Sequence, residues 1–372
     1  MTGSTPSKSN VEFYGKDYPF FKPSDFEQGY FLENAGDNLS KLGFGKARQL
    51  PPKTILVVCI GSLGKVALTR VIGSCNQQIN AIIPHKNIIS EYIYYYCISS
   101  KFQSILFSKA PQTTLAIFNK TEFSKLEIIY PKDIKEQERI VGILDFAFSK
   151  IDENIKKAKE NLANIDELMQ SALQKAFNPL NDDTKENYQL PQSWEWKSLE
   201  EISENISAGG DKPKNCTESK TAKNQIPVYA NGVNNNGLVG YTDKATIIKP
   251  SLTISARGTI GFVCIRKEPY FPIVRLISLI PCENILCLHY LYFCLNFFIA
   301  KGEGSSIPQL TIPKFKSLQI PLPPLKEQEQ IAEHLDFVFE KAKALKELYT
   351  KELKDYEELK QSLLDKAFKG EL

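Results

Sequence analysis

The sequence is poor in several residue types and patterns that carry enzyme chemistry. Its 372 residues include only three histidines and two methionines, and its eight cysteines form no Cys-x-x-Cys pair. Most cysteines stand in apolar stretches, so we expect reduced, buried thiols and no zinc site. No apolar run reaches the roughly 18 residues that span a bilayer, and the first ten residues are polar. We therefore predict a cytoplasmic protein without membrane contact, metal or disulfide framework.

Catalytic motifs are also missing. The segment Gly61–Val66 lacks the spacing and the terminal hydroxyl of a phosphate-binding loop. His85, His289 and His334 have neither triad nor metal-ligand spacing. Carboxylates are concentrated in two charged segments, where lysines four residues away account for them. The chain alone is therefore predicted to catalyse nothing.

A long internal repeat is the most informative feature that is present. Lys-Glu-Gln-Glu at 135–138 recurs at 326–329, and the same offset relates Lys-Ala-Phe at 175–177 to 366–368. Upstream, the glycine turn Gly61–Gly64 matches Gly258–Gly261 at a slightly larger offset. The chain is therefore predicted to be duplicated. The predicted segments are a first domain (1–132), a central helix (133–177), a linker (178–189), a second domain (190–322) and a C-terminal helix (323–372).

The two charged segments have the periodicity of coiled-coil helices. Each would be roughly 67 Å long if fully helical, and packing the two apolar stripes against each other buries both. The predicted fold is therefore mixed α/β (α+β), with two domains separated by two long antiparallel coiled-coil helices in a pseudo-two-fold internal repeat. The predicted seam residues are Ile140, Leu144, Ile151, Ile165, Leu168, Ile331, Leu335, Leu345, Tyr356, Leu359 and Leu363.

Within the two domains, the pattern predicts short strands and buried helices. Residues 53–60 and 251–256 are strand-like and end in glycine turns. Residues 91–107 and 287–300 are aromatic and apolar, which favours buried helices. Their Tyr and Phe side chains are expected to be core residues, and a base-stacking platform is the less favoured interpretation.

The charge distribution separates the domains from the helices. The net charge is +6 for residues 1–132, −2 for 133–177, +2 for 178–322 and −3 for 323–372. A polyanionic partner would meet the domains, and the acidic helices would face other protein. Charge alone leaves open the alternative of ordinary solvated helices beside ordinary domains.

Taken together, these motifs resemble the DNA-specificity subunit of type I restriction-modification enzymes over essentially the whole chain. The resemblance rests on the duplicated plan of domain followed by helix and on Leu-Pro-x-x-Trp-x-Trp at 190–196. It also rests on the two glycine turns, on Ile320–Gln328 at the entry to the second helix, and on Leu-Asp-Lys-Ala-Phe-Lys-Gly-Glu-Leu at the C-terminus.

The resemblance implies a mechanism. Each domain would be a target-recognition domain that reads one half of a bipartite double-stranded DNA target. The helix pair would set the unread gap and dock two methyltransferase subunits, and two restriction and translocase subunits can join. S-adenosylmethionine, ATP and Mg would belong to the partners, and this chain would carry no cofactor.

One departure from the family concerns the N-terminus. The segment 190–207 precedes Ala208–Pro213 in the second half, whereas the first half begins almost directly at Gly3. We expect either a start inside a longer reading frame or a first domain that lacks an edge element. Our hypothesis is a truncated start, which an in-frame Leu-Pro-x-x-Trp-like segment upstream would support and a stop codon there would contradict.

Base recognition in DNA uses Arg or Lys for guanine and Asn or Gln for adenine, presented on loops or helix ends. For each candidate, solvation or turn chemistry is the alternative. Gln112 and Gln309 occupy equivalent places in the repeat, which favours a shared structural or phosphate-binding role. The candidates are Lys22, Ser24, Lys46, Arg48, Gln49, Gln77, Gln78, Gln112, Tyr229, Asn231, Asn234, Asn235, Asn236, Tyr241, Arg257 and Gln309.

Two other classes of function stay open. One is a scaffold that binds only proteins through two modules on a coiled coil, which an absence of salt-dependent DNA binding would favour. The other is a nuclease with an unrecognised site, which would require metal-dependent cleavage by this chain alone.

Overall fold

The computed structural model describes residues 1–109, 117–178, 180, 189–299 and 310–372. These form two compact units: unit 1 comprises Met1–Lys159 with Thr350–Leu372, and unit 2 comprises Glu160–Tyr349. Two long helices contribute residues to both units. They are α5 (Ile134–Phe177) and α9 (Leu325–Lys369).

Unit 1 contains two four-stranded sheets, ordered β3-β1-β7-β4 and β2-β6-β5-β8. The strands are β1 (Tyr14–Phe21), β2 (Phe31–Leu32), β3 (Asn38–Leu39), β4 (Gln49–Leu50), β5 (Ile55–Val58), β6 (Val66–Thr69), β7 (Gly73–Cys75) and β8 (Ile79–Ile82). The helices confined to this unit are α1 (Lys41–Lys46), α2 (Ser90–Ile98), α3 (Ser100–Lys109) and α4 (Lys120–Phe123). All four residues of β5 are buried, which explains why this strand lacks apolar–polar alternation.

Unit 2 contains sheets ordered β10-β16-β13-β14 and β12-β11-β15, with a two-stranded pair β17-β9. The strands are β9 (Glu195–Ser198), β10 (Ser203–Ala208), β11 (Ile226–Tyr229), β12 (Leu238–Thr242), β13 (Ser251–Ile254), β14 (Val263–Arg266), β15 (Phe271–Pro272), β16 (Ile277–Pro281) and β17 (Gln319–Leu322). The helices are α6 (Leu199–Ile202), α7 (Leu288–Phe298) and α8 (Ile312–Lys316). The predicted strands at 53–60 and 251–256 are confirmed by β5 and β13.

The structure confirms the internal repeat at the level of single hydrogen bonds. Gln137 is fully buried; its Oε1 accepts from Ile89 N (2.9 Å) and its Nε2 donates to Pro131 O (2.8 Å). Gln328, at the same place in the second half, is equally buried, accepts from Cys287 N (2.9 Å) and donates to Pro323 O (2.8 Å). Each glutamine therefore satisfies the backbone N–H at the start of a buried helix, α2 or α7, that has no side-chain cap of its own.

The two long helices are antiparallel within each unit. In unit 1, Lys360 is paired with Asp152; in unit 2, Lys346 is paired with Asp166. In both pairs the residue numbers sum to the same value, as an antiparallel register requires. Ile140, Leu144, Ile151, Ile165 and Leu335 of the predicted seam are buried, and Ile331, Tyr356 and Leu363 are half-buried.

Three seam predictions are wrong by one residue. Leu168, Leu345 and Leu359 are 56, 42 and 45% exposed. Their neighbours Met169, Lys346 and Lys360 are the less exposed residues at these turns. The two lysines lie there because their stems pack while their ammonium groups pair with aspartates; the Lys360 ammonium also lies 5.3 Å from the centre of the Phe148 ring.

The helix predicted over 91–107 is two helices, because Ser99 adopts an extended conformation (ψ 151°) between α2 and α3. The predicted helix at 287–300 is confirmed as α7. The aromatic residues of α7 and α2 are buried or pack against the core as predicted, and the fully or nearly buried set includes Tyr95, Tyr96, Tyr290 and Phe293. For Phe107, on α3, the prediction is wrong, because its side chain is 54% exposed. All eight cysteines are free thiols.

Candidate DNA interface

Asn231 joins three loops of unit 2. Its Nδ2 donates to Val274 O (2.7 Å), and its Oδ1 accepts from Ala256 N (2.8 Å). Next to it, Gly232 N donates to Ser255 Oγ (3.3 Å). The loops around 230–237, 255–261 and 273–276 therefore meet at one place. Asn231, a predicted DNA-binding candidate, therefore uses both atoms of its amide group in hydrogen bonds that connect these loops.

The asparagines that follow are presented to solvent. Asn234, Asn235 and Asn236 are exposed, and the last two have positive φ (49° and 53°), which asparagine tolerates better than most residues. The carbonyl of Asn236 accepts a hydrogen bond from Arg266, a buried residue that is not among the predicted candidates. The loop backbone is therefore fixed while its amide side chains stay outside.

Tyr229 and Tyr241 are less available than predicted. The Arg266 guanidinium lies 3.5 Å from the centre of the Tyr229 ring, and the edge of that ring contacts Tyr270 (5.8 Å between centroids). The Lys220 ammonium lies 5.6 Å from the centre of the Tyr241 ring. Both tyrosines are half-buried, whereas Arg257 is exposed on the turn that contains Gly258 (φ 68°) and Gly261 (φ 80°).

In unit 1, the charged side chains of the loop after β1 interact with other residues of the same unit. Lys22 is paired with Asp37, and Asp25 accepts from Lys22 N (2.7 Å) and Gly36 N (3.0 Å). Ser24 is exposed in the same loop. Only Ser24 of this group therefore presents a side chain chiefly to solvent.

The segment after α1 holds the N-terminal residues. Arg48 donates to Thr2 O through its guanidinium, and Arg48 N donates to Ser4 Oγ (3.0 Å). Gln49 Nε2 reaches Phe44 O at 3.4 Å. Lys46, Arg48 and Gln49 are all exposed. Arg48 thus combines an exposed position with a role in fixing the chain at residues 2–4.

Gln77 and Gln78 lie on the turn between β7 and β8. Gln77 accepts a hydrogen bond from Thr5, and Gln78 Oε1 accepts from Asn76 Nδ2 (2.8 Å). Gln77 is exposed and Gln78 is half-buried. Gln112 and Gln309 lie outside the described residues.

The described residues offer no metal centre, and two of the buried cysteines are held in the thiol form. No group of three or more His, Cys, Asp or Glu within them could hold a metal ion. Burial raises the pKa of the Cys59 thiol to about 11 and that of Cys75 to about 12, so both remain protonated near neutral pH. Among the described helices, none combines the length and hydropathy needed to cross a membrane.

The family of this chain is shown by sequence. The type I restriction modification DNA specificity domain matches residues 1–164 and again 191–354. The chain is 38% identical to the type I restriction enzyme HindI specificity subunit of Haemophilus influenzae over 41% of this chain and 35% of that one. It is 23% identical to the MjaIX specificity subunit of Methanocaldococcus jannaschii over 91% of this chain and 84% of that one.

The matches to HindI and to a putative specificity subunit of Mycoplasma pneumoniae (36% identical over 37% of this chain) span 35% and 38% of those relatives.

Among solved structures, a chain from work on complex assembly and conformational transition of the type I R-M system has a TM-score of 0.82. It is 19% identical, with 100% of this chain and 95% of that chain covered. The HsdS subunit from Thermoanaerobacter tengcongensis (19% identical, 100% and 94% covered) gives 0.59. The matched domain, present twice and covering most of the sequence, places this chain in the type I restriction-modification DNA specificity family.

Proposed function

We propose that this chain is the DNA-recognition subunit of a type I restriction-modification complex. Each unit contacts one half of a bipartite target. The observation that carries the proposal is a duplicated scaffold of one DNA specificity domain whose equivalent loops present different side chains. Such a protein can recognise two different half-sites from one architecture.

The loops provide the means of recognition. Exposed amides at Asn234–Asn236 and the exposed guanidinium group of Arg257 are donors and acceptors of the kind that bind base edges in the major groove. Lys46 in unit 1 is exposed and suits a phosphate contact. The Asn231 hydrogen bonds hold the loops of unit 2 in place before DNA binds, which reduces the entropy that binding must overcome.

The helices provide docking surfaces for partner proteins. Phe146 on α5 and Phe337 on α9 are 69 and 60% exposed, and they occupy equivalent places in the repeat. Leu168 and Leu359, also equivalent, are exposed in the same way. Large exposed apolar side chains at equivalent positions of a repeat are typical of two equivalent protein–protein interfaces. We infer that two methyltransferase subunits dock here, and that restriction and translocase subunits join through them.

The chemistry belongs to those partners. The methyltransferases would bind S-adenosylmethionine, and ATP and Mg would serve the restriction and translocase subunits. This chain would contribute recognition and assembly and carry no catalytic residue of its own.

Methylation mapping tests the proposal. The chain is co-expressed with its cognate methyltransferase, and the DNA is sequenced for N6-methyladenine beside a control without this chain. We expect a bipartite motif that depends on the chain. A purified complex that yields no motif and no salt-dependent DNA binding would favour a protein-binding scaffold instead.

A further inference from the structure

The turn between β15 and β16 of unit 2 has an unusual backbone. Val274 has a φ of 53° and Arg275 a φ of 60°. A β-branched residue in this left-handed region is a genuine outlier, because its Cβ crowds the backbone. Both residues are exposed, so core packing does not account for the conformation. Strained turns of this kind cluster at functional sites.

The turn is held from several sides. Val274 N donates to Gly210 O (2.8 Å), Arg275 N donates to Gly209 O (2.9 Å), and Asn231 Nδ2 donates to Val274 O (2.7 Å). A Cβ on Gly209 would lie 2.5 Å from the carbonyl carbon of Pro272, so only glycine permits this approach. The surrounding backbone therefore imposes the conformation that presents Val274 and Arg275.

Unit 1 shares part of this frame and carries different side chains. Gly3 N donates to Ile79 O (2.9 Å), as Gly209 N donates to Leu276 O (2.8 Å). A Cβ on Gly3 would meet the carbonyl oxygens of Cys75 and Asn76, so glycine is again required. In the repeat, Val274 and Arg275 stand where unit 1 has Gln77 and Gln78. Gln77 is exposed and Gln78 is half-buried, and neither has the positive φ of Val274 and Arg275. The two halves therefore share the glycine contact but differ in the turn beside it and in its side chains, as a variable recognition position requires.

The side chain of Arg275 is suited to hydrogen bonding with a guanine base. This side chain is exposed and makes no hydrogen bond or ion pair with the other described residues. A guanidinium group donates two parallel hydrogen bonds to O6 and N7 of guanine, whereas a glutamine amide matches adenine. Through Asn231 the turn is joined to the loop that carries Arg257, so both arginines belong to one group of loops.

We propose that Arg275 recognises a guanine in the half-site contacted by unit 2, and that the turn 273–276 is a specificity-determining position. The equivalent turn of unit 1 would contact its own half-site through Gln77. This inference rests on the proposed function.

The test compares methylation motifs and DNA affinity for complexes with the wild-type chain and three variants. Arg275→Gln removes the charge and changes the preferred base. Arg275→Asn also removes it while tolerating a positive φ, so a folded complex is retained if Arg275→Gln is unstable. Lys267→Gln removes one exposed charge from the same unit at the β14–β15 turn and serves as the matched control. Thermal unfolding of each complex verifies folding.

We expect both Arg275 variants to lose guanine preference at one base position and to bind the wild-type site about ten- to a hundredfold more weakly. The other half-site, the gap and non-specific binding should be unchanged, as should all properties of Lys267→Gln.

Two results would overturn the inference while leaving the proposed function intact. One is a wild-type motif at wild-type rates in the Arg275 variants. The other is equal weakening on every sequence with a salt slope smaller by about one, which identifies a phosphate contact. A wild-type chain that produces no motif would instead reject the proposed function, and the inference with it.

Discussion

At the scale of single residues, the duplicated glutamine is the clearest case of a polar group that a fold requires. Gln137 and Gln328 belong to charged, solvent-facing sequence, yet both are fully buried. Each satisfies one backbone N–H and two backbone carbonyls, including Asn87 O and Ile285 O. Burying these groups without partners would be costly, so the glutamine stabilises the junction between a domain and its long helix.

Replacing Gln328 with methionine, which keeps the length and most of the volume, should lower the free energy of unfolding by about 2–4 kcal/mol. The loss arises because Cys287 N, Ile285 O and Pro323 O are left buried without their partner. Urea unfolding monitored by circular dichroism measures the change. Gln330→Met, two residues away on an exposed position, is the control and should shift stability by no more than about 0.5 kcal/mol. Equal midpoints for the two variants would refute a structural role for Gln328.

At the scale of elements, unit 2 has a two-stranded pair that has no counterpart among the described residues of unit 1. In unit 2, β17 pairs antiparallel with β9, and Ile320 and Leu322 are buried. The equivalent stretch of unit 1, residues 126–130, has no strand partner among the described residues, and Ile129 and Tyr130 are 59 and 40% exposed. The same local sequence pattern is therefore a strand only where a partner strand is present.

Amide hydrogen exchange should reveal this difference. We expect residues 126–130 to exchange at least about tenfold faster than 318–322, because their amides lack the ladder that protects β17. Peptide-resolved mass spectrometry of the intact chain measures both segments at once. Strand β5 of unit 1 (55–58) serves as the internal reference and should remain protected, since it pairs with β6 and β8. Equal protection of the two segments would show that 126–130 is paired in solution.

The whole molecule combines two repeated units through helices that each begin in one unit and end in the other. Ile134 starts α5 in unit 1, and Phe177 ends it in the core of unit 2, where its ring contacts Tyr290 (5.4 Å). Leu325 starts α9 in unit 2, and in its last turn Phe368 packs against Tyr96 of unit 1 (5.1 Å between ring centroids). The repeated Lys-Ala-Phe motif thus anchors each helix in the unit where that helix ends.

Partner assembly tests the exposed phenylalanines. Phe337→Ala should reduce the methyltransferase content of the complex from two copies to one, and Phe146→Ala with Phe337→Ala should abolish assembly, because each ring would anchor one interface. Native mass spectrometry gives the stoichiometry. Leu42→Ala, which removes an exposed apolar side chain (51%) from α1 and not from the long helices, is the control. Two copies bound to the double variant would exclude the phenylalanines as anchors.

Helix length tests the proposed spacing role. Inserting seven residues that continue the apolar pattern into both α5 and α9 adds about 10.5 Å to each helix. At 3.4 Å per base pair, the gap in the methylated motif should lengthen by about three base pairs with both half-sites unchanged. Insertion into α5 alone breaks the pairing register and should abolish methylation. A gap that is unchanged after the double insertion would show that the helices do not set it.

The sequence by itself determined the duplication, the two long helices, the buried strands β5 and β13, and the aromatic cores, because each follows from local periodicity or from comparison of the two halves. It also indicated that Gln77, Gln78 and Arg257 stand on loops, although Arg275 could have been found only by carrying the repeat offset from Gln78 across to unit 2.

Only the tertiary structure decided which residues face each other. Hydrophobicity favoured Leu345 and Leu359 for the seam, but the packing of the two helices leaves both leucines exposed and covers more of Lys346 and Lys360. The break at Ser99, the role of Asn231 in joining loops and the left-handed turn at Val274 and Arg275 likewise depend on hydrogen bonds and packing between residues far apart in the chain, which no local pattern specifies.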